Sequence, residues 1–344
     1  MKFDLLSTTQ TGGCSAKLPA GLLSDLLKDI PLPKNDHVLV DIETHDDAGV
    51  YQIQDNLALI VTTDFFPPLC SDARTFGRIA ACNALSDVYA MGGTPLLTLN
   101  LTLFPAEGIP LEVLHDILSG GQEMVNEAGA FTMGGHTIVD EVPKYGLAVV
   151  GTVNPKNLAT NDAAQDGDVL ILTKALGCGV LIAAHRLGMA EESSYQKALA
   201  QMQKLNRQGA ELMRKYHVRC ATDVTGFGLA GHAYKMAIAS GCQLHFHTVD
   251  LPVIPGVLEL LEAGCVPGAA FKNLDFARPG LQVAEGLAVE RKMLCCDAQT
   301  SGGLLMCAKP DVAEAIVTEL RQGDFPDAAI VGSVKKGSPA VVLD

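Results

Sequence analysis

The chain has 344 residues, 48% hydrophobic and 19% charged, with a formal net charge of −14 at pH 7. That length fits two domains of about 100 to 200 residues each, and no apolar run reaches the roughly 18 residues of a bilayer span, so no membrane role is expected. The acidity argues against broad binding to nucleic acid, which needs clustered basic residues. It admits an anionic small ligand wherever a divalent cation intervenes.

The opening MKFDLLSTTQTGG lacks the continuous apolar core of a signal peptide, and a cytoplasmic setting is expected. GGCSAK, residues 12–17, follows; glycines there bend easily and resist helix, so Cys14 and Lys17 are expected on a mobile arm. Residues 1–35 read as this arm plus a short helix over LPAGLLSDLLKDI, closed by Pro31 and Pro33. Strands are expected at 37–42 and 57–63, and a helix over 75–92 that ends at Gly92-Gly93. A strand at 94–102, a helix at 110–128 weakened by Gly120-Gly121, and strands at 130–133 and 145–153 complete a first unit, 36–154.

Asn154-Pro155-Lys156-Asn157 is turn chemistry after a strand and marks the start of a second unit, 155–344. Here the pattern predicts strands at 169–173, 218–222 and 243–249, helices near 179–187, 194–216 and 229–240, and short strands at 294–296, 303–308 and 328–331. The ten cysteines include no C-x-x-C pair, so neither a zinc site nor a disulfide scaffold is indicated. Adjacent Cys295 and Cys296 read as packing thiols.

Three acidic stretches place carboxylates where strands meet loops or on a helix face. THDDAGVY carries Thr44, His45, Asp46 and Asp47; TTDFF puts Asp64 at the end of a strand; NALSDVYAMGG sets Asn83 and Asp87 at i and i+4. Each alone fits a cap or a solvated loop. With Asp223 of ATDVTGFGLAGH they suggest a site for a hard cation, since Mg²⁺ takes carboxylates and phosphate oxygens. The MGGHT stretch, with Gly134, Gly135 and His136, is expected to offer backbone N–H groups to phosphate.

GFGLAG, residues 226–231, matches a dinucleotide fingerprint, but Asp223 beside it opposes a pyrophosphate. The G-x-x-x-x-G-K-[ST] phosphate loop is absent. CDAQTSGGLL reads as a tight strand connection and His232 as a packed helix residue.

Taken in order, GGCSAK, THDDAGVY, TTDFF, FGRIAACNALSDVYAMGG, GGHT, TDVTGFGLAGH and CDAQTSGGLL resemble the selenophosphate synthetase family, the selenide, water dikinases, over essentially the whole chain. The resemblance implies the two-domain aminoimidazole ribonucleotide synthetase-like fold: an α/β unit that pairs with a second subunit as a homodimer, an α+β unit, and the mobile glycine-rich arm. It implies conversion of ATP, selenide and water to selenophosphate, AMP and orthophosphate with Mg²⁺. Cys14 then matches the catalytic cysteine, Lys17 the essential lysine, and Asp47, Asp87 and Asp223 the metal-ligand aspartates. Thr44, His45, Asp46, Asp64, Asp87, Lys17 and the 134–136 loop match nucleotide contacts, some of them from the neighbouring subunit. Ala16 stands where relatives often have a second cysteine, and His45 where some have arginine. Rival readings are another ATP enzyme of this fold, thiamine-monophosphate kinase-like or aminoimidazole ribonucleotide synthetase-like, and a non-catalytic nucleotide-binding regulator. Cys14 with Lys17 favours the dikinase.

Overall fold

The computed structural model describes residues 3–18, 26 and 35–344. Its first sheet has six strands: β1 (Val38–Val40), β2 (Gly49–Gln54), β3 (Leu57–Phe66), β4 (Thr94–Phe104), β5 (Phe131–Val139) and β6 (Lys144–Val153), in the order β1-β2-β3-β6-β4-β5. Only β4 and β5 run parallel among these pairings. The alternation that the sequence predicts is visible in β3, where Ala58, Ile60, Asp64 and Phe66 face inward and Val61 and Phe65 face out. Helices Ala73–Ala90 and Leu111–Ala128 pack on the inner face. The first starts at Asp72, whose side chain accepts from Thr75 N at 2.9 Å, a standard N-cap.

The second sheet has seven strands: β7 (Val169–Leu172), β8 (Cys220–Asp223), β9 (Cys242–Phe246), β10 (Leu281–Val283), β11 (Leu304–Ala308), β12 (Ala329–Lys336) and β13 (Ala340–Leu343), in the order β10-β13-β9-β12-β7-β11-β8. Strand β8 lies at its edge and contacts the Ala73–Ala90 helix. One helix of the first unit therefore meets a strand end of the second, and the acidic residues collect at that meeting. No described helix is long and apolar enough to cross a membrane.

Several expectations are corrected. Strand β3 continues through Phe66 in unbroken register with β6, Asp64 lying opposite Leu147, so Asp64 sits inside the strand, not at its end. Gly134, Gly135 and His136 are not a loop: they lie within β5, with His136 opposite Leu101 of β4. Gly135 is required there because a Cβ would come within 2.4 Å of the Asn100 carbonyl oxygen.

The single helix expected over 194–216 is two, Glu192–Met202 and Arg207–Tyr216. The break frees the Lys204 carbonyl to accept from Lys174 Nζ and turns the Asn206 side chain towards Gly302. Residues 294–296 close a helix, Val289–Cys296, not a strand; so short an apolar run carries no period. Helices Val257–Glu262, Gly268–Ala277 and Pro310–Gln322 are absent from the sequence reading. The short helix expected over LPAGLLSDLLKDI falls outside the described residues but for Leu18 and Leu26.

The GGCSAK stretch is docked. Gly13–Ala16 forms a 3-10 turn, Gly13 N donates to the Pro67 carbonyl at 2.9 Å, and a Cβ on Gly12 would meet the Pro68 oxygen at 1.9 Å. Gly13 also needs the left-handed region, with φ +62°. The two glycines that the sequence reading took as sources of freedom here permit close packing.

Candidate active site

Cys14 is 1% exposed. Its N–H donates to Thr300 Oγ1 at 3.1 Å and its thiol to Asn83 Oδ1 at 3.4 Å. Burial, opposed by Lys17 and reinforced by Asp64, pushes the thiol up to about 12, so it is protonated at neutral pH. The Lys17 ammonium bonds Asp64 with both carboxylate oxygens at 2.9 Å. Burial works to lower its pKa, but Asp64, Cys14 and Asp87 outweigh that and raise it. Asn83 Nδ2 donates to the same Asp64. Thiol, amide, carboxylate and ammonium thus form one connected chain.

The other carboxylates stand beside it. Asp87 accepts from Thr62 Oγ1, one strand residue pair away from Asp64. Asp47 accepts from Thr222 Oγ1 at 3.0 Å and from the Asp223 N–H at 3.2 Å, which ties the loop after β1 to the end of β8. Burial first, then Asp223, lifts the Asp47 and Asp87 carboxyls well above the usual range. Asp223, 1% exposed, is pushed up to about 6, chiefly by burial, and its Oδ2 is buried without a hydrogen-bond partner. Buried carboxylates sharing a site in this way are stable only with a proton or a cation between them. An all-oxygen set of this kind suits a hard divalent cation.

Asp47, Asp223 and His232 bring ligand atoms within 4.8 Å of one another. His232 nevertheless has both nitrogens engaged. Its Nε2 accepts from Thr225 N at 3.2 Å, so its proton sits on Nδ1, 3.4 Å from Thr222 Oγ1. Burial and then Lys235 hold its pKa far below the usual value. Neutral His232 therefore orients Thr222, and Thr222 orients Asp47, the kind of support that metal ligands receive from a second layer.

Asp46 accepts from Thr44 Oγ1 and, at 2.6 Å, from Asn161 N. Asn161 Nδ2 donates to the His45 carbonyl at 2.9 Å, holding His45 at φ +56°. Burial, then Lys235, lowers the His45 pKa, so this position carries no charge at neutral pH. GFGLAG closes on its own chain: a Cβ on Gly226 would meet the Cys14 carbonyl oxygen at 3.0 Å, and one on Gly228 the Cys296 backbone at 2.8 Å. These glycines serve close packing of the chain on itself. The 134–136 segment on β5 makes no hydrogen bond to the acidic cluster among the described residues.

Family models for the N-terminal and C-terminal domains of AIR synthase related proteins match residues 45–153 and 165–344. A selenide, water dikinase of Porphyromonas gingivalis is 59% identical over 342 residues, covering 99% of this chain and 98% of that protein. The chain belongs to the selenide, water dikinase family. A selenide, water dikinase of Pelobacter propionicus is 43% identical across 96% of this chain and 95% of its own. Thiamine monophosphate kinase from Aquifex aeolicus has the same fold, with a TM-score of 0.64 at 16% identity over 94% of this chain and 95% of that one. The hydrogenase maturation protein HypE in complex with ATP superposes with a TM-score of 0.62 at 20% identity, over 93% of this chain and 90% of its own.

Within this selenide, water dikinase family member, Cys14, Lys17, Asp47, Asp64, Asp87 and Asp223 converge from five separate parts of the chain. Asn83, Thr222, Thr300, Ser301 and His232 join them without having been predicted as site residues. Asn83 carried a signal, its i, i+4 spacing from Asp87. Thr300 and Ser301 lie in the CDAQTSGGLL stretch, which reads as a strand connection; their partners lie more than 200 residues away, where no local pattern reaches.

Proposed function

We propose that this acidic site is where the chain makes selenophosphate from ATP, selenide and water, releasing AMP and orthophosphate. The observation that carries the reading is the Cys14, Asn83, Asp64, Lys17 chain lying against Asp47, Asp87 and Asp223. A kinase of small molecules has no use for a soft sulfur beside its phosphate lysine, and a non-catalytic regulator has no use for either.

Asp47, Asp87 and Asp223 are assigned to hold Mg²⁺; their orphaned oxygen and lifted carboxyls fit that ion. When bound, Mg²⁺ neutralises phosphate charge, which is most of what phosphoryl transfer asks of an enzyme. Lys17 brings a permanent positive charge to the reacting phosphate and Asp64 aims it. Thr44, His45, Asp46, Asp64 and Asp87 are the assigned nucleotide contacts on this subunit. Neutral His45 contributes a hydrogen bond where arginine would contribute charge. Cys14 handles selenium. Its thiol is protonated while docked, so its chemistry requires the turn to leave Asn83 or a nearby cation to favour the thiolate.

The outer face of the first sheet supports a homodimer. Val61, Phe65, Leu99, Phe131 and Ile138 are exposed on it, Phe131 by 65%, the kind of exposed apolar patch that marks an interaction surface. Pairing there makes β5 part of a shared wall, so that Gly134, Gly135 and His136 serve the neighbour's nucleotide. The division into arm (1–35), ATP- and metal-binding domain (36–154) and C-terminal domain (155–344) follows this assignment. Ten free, buried cysteines suit a reducing cytoplasm.

Phosphorus NMR of the protein with ATP, Mg²⁺ and anaerobic selenide tests the reading. Selenophosphate and AMP are expected, and Cys14→Ser and Lys17→Ala each abolish them. ADP formation indifferent to selenide and to both substitutions overturns it.

A further inference from the structure

Lys174 lies two residues after β7 and is 2% exposed. No carboxylate lies within ion-pair distance of it among the described residues. Its ammonium instead donates to two main-chain carbonyls, Ser301 at 2.9 Å and Lys204 at 2.7 Å, and lies 5.9 Å from the Phe325 ring centroid. Burying a cation without a counter-charge is costly, and burial lowers its pKa. What it holds is therefore informative.

It holds a strained loop. Ser301 has φ +50°, a left-handed conformation that a non-glycine residue keeps only when its surroundings impose it. Behind the loop, Lys174 takes the Ser301 carbonyl, Asn206 Nδ2 takes the Gly302 carbonyl at 2.9 Å, and Thr173 Oγ1 takes Leu304 N at 2.8 Å. In front, Ser301 N donates to Asn83 Oδ1 at 2.7 Å, and Thr300 Oγ1 accepts from Cys14 N.

The Ser301 N–H decides which way the Asn83 amide faces. A donor at that place requires the amide oxygen, which then also receives the Cys14 thiol. The Asn83 nitrogen is left to face Asp64, the partner of Lys17. If the carbonyl clamp is lost, the loop relaxes, Asn83 is free to flip, and both reactive groups lose their orientation together.

We propose that Lys174 is a positioning residue for selenophosphate synthesis: through Ser301 it sets the Asn83 amide, and through Asn83 it orients Cys14 and the Asp64 partner of Lys17. The inference rests on the roles given above to Cys14 and Lys17.

The test compares Lys174→Met, Lys174→Arg, Ser301→Gly and the Lys174→Met/Ser301→Gly double variant in the full chain. It reads selenide-dependent AMP formation, the KM for ATP, and the rate of Cys14 alkylation by iodoacetamide against pH, with the modified peptide identified by mass spectrometry. Lys174→Met keeps the side-chain bulk but leaves two buried carbonyls without a donor. A fall in kcat of about tenfold, with the ATP KM within about twofold, is expected. Cys14 alkylation rises about fivefold as the thiol loses its acceptor. Ser301→Gly in the Met background recovers part of both, because glycine holds the left-handed backbone unaided; Lys174→Arg, too large for the site, recovers less.

Folded Lys174→Met with unchanged kcat and unchanged Cys14 alkylation overturns the proposal. Should Lys174→Met fail to fold, Lys174→Gln keeps a shorter, neutral NH₂ donor group and carries a smaller expectation, about threefold in kcat and twofold in alkylation; no change in either overturns it equally. Full activity in Cys14→Ser would remove the role given to Cys14 while alkylation alone still decides whether Lys174 positions it.

Discussion

At the scale of single residues, Asp223, proposed above to hold Mg²⁺, shows how such a carboxylate works against the stability of the fold without the ion. Its carboxyl is lifted from 3.8 to about 6, mainly by burial. Between those values the folded chain holds a proton that the unfolded chain has released, so stability falls as pH rises through the window and stays low above it. Asp223→Asn is therefore expected to raise the thermal midpoint of the metal-free protein by several degrees at pH 8 and to leave it little changed near pH 4. Mg²⁺ should raise the midpoint of the unsubstituted protein at pH 8 and that of the variant far less. A metal-free variant less stable than its parent at pH 8 would mean that the Asp223 carboxylate is stabilised by its protein partners and overturns this reading.

At the scale of elements, the helix pair Ala73–Ala90 and Leu111–Ala128 sets where Asn83 and Asp87 stand. The sequence reading counts Gly120 and Gly121 as a weakness, which is right for an isolated helix. The packed pair needs them: a Cβ on Gly120 would come within 2.1 Å of the Arg74 carbonyl oxygen, and one on Gly77 within 2.0 Å of the Ile117 oxygen. The two backbones touch through glycine on both sides. Gly120→Ala, a stabilising change in an exposed helix, is accordingly expected to cost about 1–3 kcal/mol by overpacking. Urea denaturation checks it, and the same displacement should lower selenophosphate synthesis because Asn83 and Asp87 move with the helix. Unchanged stability would show that the helices separate freely and that site geometry does not depend on this contact.

At the scale of the whole molecule, the first sheet covers one face with helices and, among the described residues, leaves the other bare. Leu99 and Val61 lie on neighbouring regions of that bare face, 45% and 52% exposed. Sedimentation of the native chain should give a dimer at micromolar concentration, and Val61→Glu with Leu99→Glu a folded monomer. Because β5 carries Gly134, Gly135 and His136 away from the acidic cluster of its own chain, the monomer should also lose ATP affinity. A native monomer with full activity would place the whole nucleotide site within one subunit.

Much of the fold was legible because hydrophobic period survives in long elements: β3, β4, β6 and the Ala73–Ala90 helix differ from their expected limits by only a few residues. The acidic residues were legible too, since carboxylates flanking apolar strands are conspicuous in any sequence. What local pattern could not carry was everything fixed by distant partners. The break at residues 203–206 serves contacts with Lys174 and the 300–303 loop, and the docking of GGCSAK depends on Pro67, Thr300 and Asn83. The amino-acid order by itself determined which groups are available for phosphate and selenium chemistry, because side-chain type and short-range period are local properties. Only tertiary structure decided which of them meet, since hydrogen bonds and burial join residues without regard to their separation along the chain.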